Sequence, residues 1–137
     1  MSQTTTRYAL QRTVSKTFAE VDRAVREALQ EQGFGVLTEI DVKATLKKKL
    51  DVDFRDYEIL GACNPPLAHA ALQAESEVGL LLPCNVVVRA GDEPGTTVVE
   101  AMDPVMQLEV ADNPTLPELA QDVRARLERV LDRVAQA

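Results

Sequence analysis

The residues of this chain best able to do chemistry are its two cysteines, and they stand in matching settings. One is Leu60-Gly61-Ala62-Cys63-Asn64-Pro65-Pro66; the other is Leu81-Leu82-Pro83-Cys84-Asn85-Val86-Val87-Val88. In each, a Cys-Asn pair follows apolar residues and has proline close by. A core strand has no need of that, because proline cannot donate to a sheet ladder. Cys63, Asn64, Pro65, Pro83, Cys84 and Asn85 are therefore the candidate ligand-binding residues. The two asparagines offer amide donors and acceptors to a small polar ligand. Plainer roles compete. Free cysteine is among the most buried residue types, and Asn64 before Pro65 is a natural helix N-cap.

Cys63 precedes that helix start, where backbone N–H groups and the helix dipole favour a thiolate. Such a thiol suits redox sensing, soft-metal binding or attack on an electrophile. A Cys63–Cys84 disulfide requires Cα atoms within about 7 Å, and a reducing cytosol disfavours it. The two cysteines and the single histidine, His69, fall short of the four ligands of a closed zinc site. Two thiolates alone can hold a linear soft ion such as Cu(I). On this pattern no metal and no cofactor is assigned. His69 has polar helical neighbours, Gln73 and Ser76, and reads as a surface residue. There is no Gly-rich phosphate loop, Gly-x-Ser-x-Gly or His-Glu-x-x-His run, so no catalytic residue is assigned.

The elements that must position these residues are legible in outline. The first six residues are polar and read as a loose tail. Residues 7–14 can form a strand. Thr17 and Glu20 fit a capping box, and Phe18, Val21, Val25 and Leu29 follow at helical spacing until Gly33. Phe34, Val36, Thr38 and Ile40 share one face of a second strand. Asp41 caps a short helix carrying Val42, Leu46 and Leu50, and residues 57–63 read as a third strand. Residues 79–88 are apolar on both faces and read as a buried central strand, interrupted at Pro83. A turn at 91–95 joins it to a strand at 96–102, and residues 105–110 read as a last short strand. Thr115 with Glu118 suggests a second capping box, opening a helix over 116–134 with a stripe of Leu119, Val123, Leu127 and Val130. The fold class is α+β: a single, mainly antiparallel sheet with a long N-terminal and a long C-terminal helix on one face, plus two short helices.

The chain has 137 residues, the size of one domain. Its net charge of −7 opposes non-specific binding to nucleic acid and to anionic lipid. The only basic run, Lys47-Lys48-Lys49, reads as a solvated helix face. No segment has the length of a signal peptide's apolar core or of a membrane span. The expectation is a cytoplasmic protein with reduced cysteines, no nucleic-acid partner and no membrane.

Three segments together resemble a bacterial and archaeal family called domain of unknown function 302. They are residues 33–42, Gly-Phe-Gly-Val-Leu-Thr-Glu-Ile-Asp-Val, then residues 57–65 ending in Cys63-Asn64-Pro65, then residues 81–88 containing Leu82-Pro83-Cys84. The resemblance covers residues 14–134. It implies a TATA-box-binding-protein-like α+β fold and a homodimer, but no activity and no DNA binding, because fold does not fix function. Two functions stay open. One is a non-enzymatic homodimeric module that binds a small ligand or partner at the Cys-Asn-Pro/Pro-Cys-Asn region. The other is a thiol-dependent redox or soft-metal-binding protein using Cys63 and Cys84.

Overall fold

The computed structural model describes residues 2–5 and 8–136. Six strands form one sheet in the order β1-β2-β6-β5-β4-β3, and every neighbouring pair is antiparallel. They are β1 (Ser2–Thr5), β2 (Ala9–Val14), β3 (Gly35–Asp41), β4 (Tyr57–Cys63), β5 (Cys84–Ala90) and β6 (Thr97–Met102). The helices are α1 (Phe18–Glu31), α2 (Val42–Leu50), α3 (Pro65–Ala74), α4 (Pro104–Glu109) and α5 (Leu116–Gln136).

The two long helices cover one sheet face. In α1, the Thr17–Glu20 capping box is formed in both directions. Val21, Val25 and Leu29 are buried, with Phe18 half-buried against the same core. The helix closes as a Schellman motif: Gly33 N donates to Gln30 O, and Phe34 N donates to Leu29 O. Gly33 takes φ +84° there, a conformation that glycine adopts without steric cost. In α5, Val123, Leu127, Val130, Leu131 and Val134 are buried. Both stripes meet Leu10, Leu60, Val86, Val88 and Val99, which point from the sheet toward the helices. A second, smaller cluster of Ala71, Val78, Leu108, Leu116 and Ala120 lies under α3, α4 and the start of α5.

The structure corrects several expectations. Residues 105–109 belong to α4, with Val110 as its C-cap, and not to a strand. Pro104 occupies the first turn and Asp103 caps it, its carboxylate accepting from Val105 N at 2.9 Å. Asp-Pro is thus a helix start rather than a break. Ser76–Leu81 is a 3-10 helix; ladder pairing begins only after Pro83, at Cys84. The β3 face is not continuous. A bulge between Val36 and Thr38 shifts the alternation, so Val36 faces the helices while Thr38 and Ile40 pair with Gly61 and Ile59 on the other face. Thr115 and Glu118 form no capping box; Asn113 Oδ1 instead accepts from Thr115 N at 2.9 Å. Ser2–Thr5, expected within a loose tail, pairs with β2, while Met1, Thr6 and Arg7 lie outside the described residues.

Candidate functional site

A cavity of about 310 Å3 opens where the two core clusters fail to meet. Phe34, Ala62 and Val123 from the larger cluster form one wall, and Ala71 and Leu108 from the smaller one form another. The gap has a simple origin. Ala62, Ala68 and Ala71 are small, and the side chains that line the space from α4 and α5, Gln107, Leu108, Leu119 and Val123, do not fill it. Leu37 and Leu72 are both exposed and also line the space. No charged side chain lines it. The polar contributors are Thr38, Asn64, Gln107 and the two thiols.

Four of the six candidate residues meet here: Cys63, Asn64, Pro83 and Cys84. Pro65 does not; it sits exposed in the first turn of α3. Asn85 lies on the helix-free sheet face instead, in a broad cleft with Tyr57, Val87 and Arg89. The reason is strand alternation: Cys84 pairs with Ala62 toward the helices, so its neighbour Asn85 must point away. The asparagines are therefore not a pair.

Asn64 is committed to structure. Its Oδ1 accepts from Leu67 N at 3.3 Å as the N-cap of α3, and its Nδ2 donates to Gln32 O at 3.4 Å. The same Gln32 carbonyl accepts from Arg126 Nη1 at 2.9 Å. This amide thus ties α3 to the end of α1, beside α5. Pro83 stacks over Gly61. A Cβ on Gly61 would stand 2.9 Å from Pro83 Cγ and 2.1 Å from Thr38 Oγ1, so only glycine fits between them. The Leu82–Pro83 peptide bond is cis.

The cysteines are free and half-buried. Burial, and then the neighbouring Cys63, push the Cys84 thiol up to about 11. Pro65 and Pro66 have no N–H, and the Leu67 N–H is taken by Asn64. His69 is exposed on α3. Among the described residues, no three His, Cys, Asp or Glu side chains gather as metal ligands. Sequence reasoning missed Thr38 and Gln107. Gly61 was the available signal for Thr38. Gln107 had none, because its segment read as a strand; its Nε2 donates to Leu81 O.

A small α+β protein with a one-sided sheet and an uncharged cavity at the sheet's end is thereby defined. The chain belongs to the family described as Domain of unknown function DUF302, which matches residues 10–134. It is similar to a solved structure described as an uncharacterized conserved protein DUF302 from Bacillus stearothermophilus. The two are 35% identical, with a TM-score of 0.86 over 94% of this chain and 99% of that one. No curated protein matches in sequence. Among the described residues, no helix is long and apolar enough to cross a membrane.

Proposed function

We propose that this chain is a non-enzymatic binding module for an uncharged, mainly hydrocarbon small ligand. The observation that carries the reading is the cavity: about 310 Å3, walled by apolar side chains and lacking any charged group. Binding pockets of this size and character are the usual sites for small ligands. An apolar cavity of roughly 150 Å3 accepts benzene, so twice that volume holds about a dozen carbon atoms, and the rest of a longer ligand can lie at its mouth along the exposed Leu37 and Leu72. A carboxylate or phosphate would find no cation here, and burying it unpaired is costly. Gln107, whose Nε2 donates to Leu81 O, keeps its Oε1 to orient a single polar end.

Titration with the apolar dye N-phenyl-1-naphthylamine tests this. The expected result is saturable binding at one dye per chain, lost in A71F, which fills the cavity. A68F provides a second block at a half-buried position, should A71F disturb folding. Binding undiminished in both folded variants would contradict the reading.

The same module is proposed to act as a cytoplasmic homodimer. Residues 105–109 are helical and offer no sheet edge, whereas β3 is an outer strand of the sheet. Leu37, Ile40, Leu50, Val52 and Phe54 are exposed in and just after β3 and α2. Between residues 41 and 56, five basic and four acidic side chains nearly balance, in a chain of net charge −7. A second copy meets least like-charge repulsion there.

The thiol reading has one observation in its favour: both cysteines line the same cavity.

A further inference from the structure

We infer that the cavity takes trivalent organoarsenicals, held by Cys63 and Cys84 together with the organic group in the apolar space. This inference rests on the cavity being a ligand site, and it names one ligand class for it.

The geometry brings two thiols to one wall. Cys84 pairs across the ladder with Ala62, the residue next to Cys63. Antiparallel partners stand about 5 Å apart and one step along a strand adds about 3.4 Å. The two Cα atoms are then about 6 Å apart, within the range that a two-sulfur bridge spans. Regular alternation would send the side chains to opposite faces. Cys63 is the last residue of β4, however, where the chain turns into α3, and both cysteines line the same cavity. Neither sulfur has a hydrogen-bond partner among the described residues, so neither is committed elsewhere.

The charge balance selects the ligand. A linear Cu(I) complex with two thiolates carries a net negative charge. No cation lines the cavity to meet it, and a buried unpaired charge is costly. Pro65 and Pro66 supply no N–H at the start of α3, the Leu67 N–H is taken by Asn64, and burial raises the Cys84 thiol to about 11. A reaction that begins with two neutral thiols and ends neutral avoids both costs. Hydrated phenylarsine oxide, a phenyl group on As(OH)2, reacts in that way. Two As–O bonds break and two As–S bonds form. The two thiol protons leave with the oxygens as two waters. Arsenic stays trivalent, so no oxidant or reductant is involved. The phenyl ring then lies among Phe34, Ala71 and Val123.

The test is titration of the native protein with phenylarsine oxide in excess 2-mercaptoethanol, read by intact mass and by displacement of N-phenyl-1-naphthylamine. The expected result is one phenylarsenic group per chain, with the dye displaced. In C63S and in C84S the apparent affinity should fall at least about 100-fold, the usual gain from a second linked contact. C63A and C84A, checked by circular dichroism, serve if a hydroxyl disturbs packing. Retention of the adduct in either single variant at wild-type strength would overturn the inference. So would an adduct that leaves the dye in place. If the dye binds but no adduct forms, this inference fails and the hydrocarbon-binding function stands. If neither binds, both fail.

Discussion

At the scale of single residues, Glu58 is the most perturbed carboxyl with a pH consequence. It points from β4 under α1, with only 15% of its side chain exposed. Arg26 Nη2 stands 3.6 Å from its Oε2, and Asp22 and Glu39 crowd the same guanidinium. Its Oε1 is buried without a hydrogen-bond partner. Burial, then the neighbouring Asp22 carboxyl, push Glu58 up to about 8. A proton on Glu58 gives that oxygen its missing role, as donor to Asp22. Because the folded value lies above the ordinary 4.5, the contribution to stability is complete below about pH 4.5. It is lost as pH rises through about 8. Asp22 is held low and acts at the acid end, so it does not blur this window. Urea midpoints at pH 6 and pH 9 should therefore fall for the wild type and fall much less for E58Q. An equal drop in both proteins would mean that another group is responsible. Gly61 gives a second residue-scale prediction. G61A should cost about 1–3 kcal/mol through overpacking against Thr38 and Pro83. T38A should recover part of that loss, as measured by thermal unfolding.

At the scale of elements, what could be read from the sequence depended on how many independent signals agreed. Helix α1 had a capping box, an apolar stripe and a terminal glycine; α5 had five turns of stripe. Both lie where they were expected, as does β4. Segments between prolines were harder. Residues 79–83 and 105–110 are short apolar runs, and periodicity over five or six residues fits a strand and a helical turn equally well. The bulge at Leu37 left no mark, because alternation on either side of it looks intact. The cavity was invisible for a different reason: it is a volume left between two clusters that are distant in sequence. Its cysteines were found by composition, while Pro65 and Asn85 were drawn in by motif likeness alone and point elsewhere. Asn64 proves to be a brace between elements. N64A should cost about 1–2 kcal/mol, combining a lost N-cap with a lost hydrogen bond to Gln32. Urea unfolding measures it. A loss below about 0.3 kcal/mol would show that the brace carries no weight.

At the scale of the molecule, the fold keeps its two sheet faces for different purposes. The helix-covered face holds the core, and at its end lies the uncharged cavity. The helix-free face carries a polar ladder in which Glu100 accepts from both Gln11 and Arg89, each at 2.7 Å. For the proposed homodimer, sedimentation equilibrium at tens of micromolar should give twice the 15.0 kDa chain mass, and L50E with F54E should return it to the monomer. A wild-type monomer at that concentration would remove the dimer and leave the cavity reading intact. The central claim, that the cavity is the binding site, is tested most directly by an amide NMR titration with 1-decanol, an uncharged chain with one hydroxyl. The account predicts saturable shifts at Ala62, Cys63, Ala71, Cys84 and Val123. Shifts confined to Tyr57, Val87 and Arg89 on the helix-free face, or no saturable shift at all, would contradict it.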